Sequence, residues 1–167
     1  RGLPVVGLSG ADSQLLRSQP LGATWGRAGA SPEVNMQVLS SVLSAELVPV
    51  VSPVAVDSRG ELLNCNADTA AGAIAASLGA ELVLLSDVDQ IRSIPEDPST
   101  GLAEVDVAQV EALVTSGAIR DGMRPKVQAA LDALRAGAPS VQLANGTKPH
   151  ALRDARAHRV ATTKVRP

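Results

Sequence analysis

Short runs of apolar, largely β-branched residues recur along this 167-residue chain, separated by longer stretches whose apolar positions fall three and four apart. Strands buried on both faces read as continuous apolar runs, and the helices that cover them read with a period near 3.6. The alternation therefore predicts an α/β domain, built as a three-layer α/β/α arrangement around a mainly parallel open sheet. Strands are expected over residues 4–8 (PVVGL), 47–54 (LVPVVSPV), 82–85 (LVLL) and 140–144 (SVQLA), with 160–165 as a closing strand. Residues 13–29, rich in Gly, Ser and Gln, are expected to form a polar hairpin. Residues 92–102 (RSIPEDPSTGL), with two prolines and acidic neighbours, suit a surface excursion.

Four helices follow from their own period. Val34, Val38, Val42 and Leu43 share a face after Ser31-Pro32-Glu33, where Ser31 would cap and Pro32 would open the helix. Residues 67–78 (ADTAAGAIAASL) are so rich in alanine that a helix there would pack closely on more than one side. Val107, Val110, Leu113 and Val114 give a third helix, ended by Gly117; Val127, Ala130, Leu131 and Leu134 give a fourth, ended by Gly137.

Composition narrows the class of partner. With 45% apolar residues the chain can bury one core, so residues 1–167 are read as a single domain. A net charge of −2 and a single aromatic, Trp25, leave neither a basic face for a phosphate backbone nor rings for bases, so no nucleic-acid partner is expected. No window approaches the roughly 20 uninterrupted apolar residues of a membrane span, so no membrane association is expected. Cys65 is the sole cysteine and cannot form an internal disulfide, while His150 and His158 come without a thiol cluster, so no protein-held metal is expected. A reducing cytoplasm fits this usage.

Three segments carry candidate chemistry. The strand candidate at 82–85 runs into Ser86-Asp87-Val88, and ligands of open α/β sheets bind beyond the carboxyl ends of strands. Asp87 would there either meet a ligand or close a turn on its own backbone. Residues 117–126 (GAIRDGMRPK) form a glycine-bearing loop that opens a helix, where free N–H groups and the helix dipole can receive a phosphate. Lys126 falls in the first turn, an unfavourable place for a cation unless an anion sits nearby, though a solvated surface lysine satisfies the same spacing. Asn64-Cys65-Asn66-Ala67-Asp68 gathers two amides and a carboxylate at a helix start, where capping by Asn66 or Asp68 competes with substrate contact and is favoured on physical grounds alone. Neither a G-x-x-x-x-G-K-[ST] nor a G-x-G-x-x-G run occurs.

Taken in order, the run from Leu47 to Val88 (LVPVVSPVAVDSRGELLNCNADTAAGAIAASLGAELVLLSDV) and SGAIRDGMRPKVQAALDALRAG resemble the acetylglutamate kinases, members of the amino acid kinase fold, over about residues 2–143. The N-x-N-A-D, L-L-[ST]-D-V and G-M-x-x-K runs are specific in combination. PVVGLSGADSQLL also looks like the family's segment before its central hairpin, and GRAGASPEVNMQVL like the entry to the following helix. The resemblance implies transfer of the γ-phosphoryl of ATP, carried with Mg2+, to the side-chain carboxylate of N-acetyl-L-glutamate in arginine biosynthesis, with no covalent enzyme intermediate. It implies assembly at least as a dimer.

By the same resemblance, Asn64 would contact the acetylamino acid, Asp68 would hold the catalytic lysines in position, and Lys126 would neutralise charge on the ATP phosphates. Ser86, Asp87, Val88, Gly122 and Met123 would line the nucleotide site, with aliphatic side chains packing the adenine. This outweighs the blander readings of Lys126 and Asp68. The family's amino-terminal K-x-G-G strand end, its second glycine-rich loop and its carboxylate-binding arginine have no counterpart among residues 1–167. Because residues 3–8 read as an interior strand that needs neighbours, the polypeptide is expected to continue upstream of Arg1, so that this chain is the carboxyl-terminal part of a fold truncated at its amino terminus. Asp89-Gln90 and Val160-Ala161-Thr162-Thr163 depart from the family's usual turn and its usual glycine-threonine pair. Two rivals remain: a kinase of carrier-bound aminoadipate or glutamate in lysine biosynthesis, which usually differs from N-x-N-A-D, and a non-catalytic nucleotide-binding remnant.

Overall fold

The computed structural model describes residues 2–120 and 122–167 and divides the chain into a first unit that ends at Leu78 and a second from Gly79 to Pro167. In the first, β1 (Val5–Ser9) and β4 (Val48–Ser52) pair in parallel, Val5 opposite Val48 through Ser9 opposite Ser52. Parallel neighbours need a crossover. Here it contains β2 (Leu16–Arg17), β3 (Glu33–Val34) and helix α1 (Met36–Ser44). After β4 come β5 (Val54–Val56), β6 (Leu62–Asn64) and α2 (Ala67–Leu78). A second, mixed sheet of order β3-β2-β5-β6 covers a core of Leu15, Leu16, Leu39, Ala55, Cys65 and Ala70.

The expected hairpin is present with wider arms. β2 and β3 pair antiparallel, Pro20 bridges Gly29, and the tip turns through residues 23–25 with Trp25 exposed. Gly29 is required by closeness, because a Cβ there would lie 2.8 Å from Cys65 Sγ.

One helix start is corrected. Ser31-Pro32-Glu33 leads into β3, and α1 begins at Met36 with Asn35 as its cap, accepting from the Gln37 N–H at 3.2 Å. Pairing of Glu33 and Val34 with β2, extended by the Asn35 N–H bond to the Leu15 carbonyl, outweighs the Ser-Pro start signal. Leu39, outside the expected apolar stripe, is the helix's buried residue, whereas Leu43 is exposed. Helix α2 matches its predicted span; Ala70, Gly72 and Ala75 are buried and most of the remaining positions are half-buried.

The second unit begins with β7 (Leu82–Ser86), then β8 (Glu104–Asp106), α3 (Val107–Thr115), α4 (Met123–Arg135), β9 (Val141–Asn145), α5 (Ala151–Arg156) and β10 (Thr162–Arg166). Its sheet has the order β7-β9-β10-β8, with β7/β9 and β10/β8 parallel and β9/β10 antiparallel. The inner strand β9 is buried along most of its length, and Val127, Ala130, Leu131 and Leu134 of α4 are buried as their spacing required. Asp106 and Gln109 form a reciprocal capping box that fixes where α3 starts.

The 92–102 excursion closes on itself through an Arg92–Gly101 bridge and is tied to the sheet by Thr163. Thr163 is fully buried; its Oγ1 accepts from the Ile91 N–H at 2.9 Å and donates to the Leu102 carbonyl at 2.6 Å. Thr163→Val keeps the shape and strands both backbone groups, which should cost about 1–3 kcal/mol. Urea unfolding should show the loss as a lower midpoint at unchanged slope; an unchanged midpoint would contradict it.

Candidate functional site

The carboxyl end of β7 is where a run of apolar residues gives way to polar ones, and the parallel pairing brings the end of β9 beside it, Ser86 opposite Asn145. Two loops of very different sequence position are thereby gathered at one sheet edge. Ser86 is buried, its hydroxyl donates to Asp87 Oδ1 at 3.1 Å, and its carbonyl accepts from the Gly146 N–H at 2.7 Å. Asp87 is exposed. Gly146 lies so close to the strand that a Cβ would stand 2.8 Å from Leu85 Cβ.

Beyond Asp87 the chain enters a cleft of about 140 Å³ lined by Val88, Gln90, Ile91 and Arg92 from the loop after β7 and by Ala118, Ile119, Arg120 and Met123 from the approach to α4, with Pro95 completing the wall. Two of the residues singled out from sequence, Val88 and Met123, thus line one cavity although 35 positions apart in the chain. Gly122 is the N-cap residue of α4, with no side-chain cap, and Met123 is its first helical residue. Lys126 is three residues on, in the first turn, half-buried and with its own partner. Ser86, Asp87, Gly122 and Lys126 are not in the cleft wall. The wall is chiefly aliphatic, with two guanidinium-bearing side chains at Arg92 and Arg120. Arg120 pairs with Glu96, and Arg92 Nη1 donates to the Pro95 carbonyl at 3.1 Å.

Sequence reasoning gave Asp89 no contact at this edge, and the structure supplies one. Its carboxylate accepts from Asn145 Nδ2 at 3.2 Å and pairs with the Lys148 ammonium. The Lys148 hydrogen bond, then that from Asn145, holds the Asp89 carboxyl below its ordinary range against the opposing effect of partial burial. Asn145-Gly146 after an apolar run is a turn signature that marks the partner loop, but no local pattern connects it to a residue 56 positions earlier.

The first unit holds the other two candidates. Asn64 ends β6, its side chain exposed, its backbone tied to the hairpin through the Arg27 carbonyl (2.8 Å) and the Gly29 N–H (3.0 Å). The β5–β6 turn that aims this strand is set by Asp57, whose buried carboxylate accepts from the Arg59 N–H at 2.8 Å and the Glu61 N–H at 2.9 Å. The Glu61 bond is the leading cause of its lowered pKa. Asn66 caps α2, accepting from the Thr69 N–H at 3.0 Å, which leaves Asp68 in the first turn, half-buried and engaged with a partner. The capping expected of Asn66 or Asp68 falls to Asn66.

Among the described residues no group of three His, Cys, Asp or Glu side chains stands together as a metal site requires, and no helix is long and apolar enough to cross a membrane.

Compared with known proteins, residues 1–145 match the family model described as the amino acid kinase family. The acetylglutamate kinase of Deinococcus radiodurans is 45% identical over 162 residues, an overlap of 97% of this chain and 65% of that protein. The acetylglutamate kinase of Thermus thermophilus is 43% identical over 148 residues, 89% of this chain and 59% of that one. The chain therefore spans about three-fifths of the length of these relatives. Among solved structures, N-acetylglutamate synthase from Neisseria gonorrhoeae, in complex with coenzyme A and N-acetyl-glutamate, superposes with a TM-score of 0.81 over 99% of this chain and 38% of that one. At 23% identity that likeness speaks for the fold alone.

A carboxyl held below its ordinary pKa in the folded chain stabilises the fold above the unfolded value, near 3.9 for Asp, and that contribution is lost as pH falls through the lower folded value. Urea midpoints measured from pH 6 down to pH 2.5 should therefore fall for the wild type. Asp89→Asn should start lower at pH 6 and converge on the wild type at the acid end; parallel curves would mean that Asp89 carries none of the dependence.

Proposed function

This chain belongs to the amino acid kinase family, and we propose that it is the nucleotide-handling part of an enzyme that phosphorylates the side-chain carboxylate of N-acetyl-L-glutamate with ATP. The observation that carries this reading is the aliphatic cleft joining Val88 to Met123 at the carboxyl edge of β7 and beside the amino end of α4, where Gly122 is the N-cap residue and brings no side-chain cap. An adenine packs against such a wall through its faces with no aromatic partner, and the adjacent helix start offers N–H groups and positive potential to a phosphate chain. The substrate is drawn from the names of the relatives and from the N-x-N-A-D run, in which Asn64 would bind the acetylamino acid.

The chemistry asks little covalent work of the protein. Phosphoryl transfer to a carboxylate is accelerated by alignment of donor and acceptor and by neutralising charge on the moving group. Lys126, near the start of α4, is the cation assigned to the phosphates. Asp68, in the first turn of α2, is assigned to orient catalytic ammonium groups. Ser86 and Asp87 immediately precede Val88 of the cleft wall, and their hydroxyl and carboxylate would order the nucleotide's polar parts. A divalent cation would arrive on the nucleotide, shielding its phosphates.

Isothermal titration with Mg-ADP tests the reading without requiring turnover, which suits a chain shorter than its relatives. The wild type should bind. Lys126→Ala should weaken binding about tenfold or more, as expected for a lost hydrogen bond to a charged group, and Asp87→Ala should weaken it measurably. A folded wild-type chain that takes up no Mg-ADP at millimolar concentration would refute the assignment.

A further inference from the structure

The cleft wall contributed by the loop after β7 is anchored from outside the cleft. Val88, Gln90, Ile91 and Arg92 line the cavity, whereas Asp89, within that run, turns its carboxylate to Asn145 at the end of β9 and to Lys148 on the loop that follows. That second loop is itself braced. Asn145 Oδ1 accepts from the Thr147 N–H at 2.9 Å and the Thr147 hydroxyl at 2.6 Å, and the Gly146 N–H binds the Ser86 carbonyl at 2.7 Å. The close approach of Gly146 to Leu85, which no larger residue would permit, seats the loop against the strand. On the other side, Gln90 Nε2 donates to the Thr162 carbonyl at 3.0 Å and the Ile91 N–H to Thr163 Oγ1 at 2.9 Å. The segment that carries Val88 is thus pinned at Asp89 by one loop and at Gln90 and Ile91 by β10.

We propose that Lys148 is a positioning residue for nucleotide binding: through Asp89 it holds Val88 and Gln90 at the cleft wall, and it does not itself meet the phosphates. The inference rests on the nucleotide reading above. A lysine near a nucleotide site is ordinarily taken for a phosphate contact, but this ammonium is already committed to a carboxylate outside the cavity lining. Its effect is bounded by the pair's strength. Both side chains are well exposed, 49% for Lys148 and 38% for Asp89, so the pair is screened by water and its loss should change affinity by about two- to fivefold.

The two roles separate by ligand. Competition binding of Mg-ADP and of adenosine against a fluorescent adenine nucleotide would be measured for the wild type, Lys148→Ala, Lys148→Arg, Asp89→Asn and the double variant K148A/D89N. A positioning role predicts that Lys148→Ala loses the same few-fold affinity for both ligands and that Lys148→Arg recovers it. The double variant should be no weaker than Asp89→Asn alone, since both changes break one pair. A loss confined to Mg-ADP, or one that persists undiminished in the Asp89→Asn background, would make Lys148 a phosphate contact and overturn the inference. Binding by Lys148→Ala equal to that of the wild type would overturn it while leaving the nucleotide reading intact; a wild type that binds neither ligand would overturn both.

Discussion

Parallel pairing of β7 with β9 puts the carboxyl ends of two strands at the same edge, and in a parallel sheet the backbone cannot return there without a crossover. The crossover here carries β8, α3 and α4, so that the amino end of α4 supplies part of the wall that also contains Val88. Every feature assigned to the nucleotide follows from that one constraint. The ladder aligns Ser86 with Asn145, the alignment brings Gly146 onto Leu85, and that approach places Lys148 within reach of Asp89. Were β9 antiparallel to β7, the loop after β9 would fall at the opposite edge and none of these contacts could form.

The parts of this arrangement carried by long periodic segments were legible in the sequence. The apolar run at 82–85 became β7, the alanine-rich segment became α2 with its predicted bounds, and the buried face of α4 is the one its spacing implied. What was not legible was short or non-local. β6 and β8 have three residues each and α5 six, too few for a period to register. The start of α1 was misplaced because a two-residue strand pairing with β2 competes with a good local cap signal, and a pairing across the hairpin leaves no local trace. The site divides in the same way. Ser86, Asp87, Val88, Gly122, Met123 and Lys126 were expected from strand-end and helix-start logic and from the resemblance, and of these Val88 and Met123 line the cleft, whereas Asp89 with Lys148 pairs residues 59 apart and required the structure.

Membership of the amino acid kinase family rests on a match over most of the chain. The identity of the phosphoryl acceptor rests on relatives that are longer than this chain, and on Asn64 and Asp68, which stand in the first unit at the end of β6 and the start of α2. The nucleotide assignment draws on the cleft, the helix start and Lys126, all of which lie in the second unit.

The most direct test of that claim is to map where a nucleotide touches the folded chain, by following backbone amide resonances during titration with a non-hydrolysable Mg-ATP analogue. Shifts should concentrate at residues 86–92, 118–120, 122–126 and 145–148, the segments that supply the cleft walls with their flanking residues and the segment that braces one wall. Saturable shifts confined to other surfaces, with these segments unmoved, would contradict it.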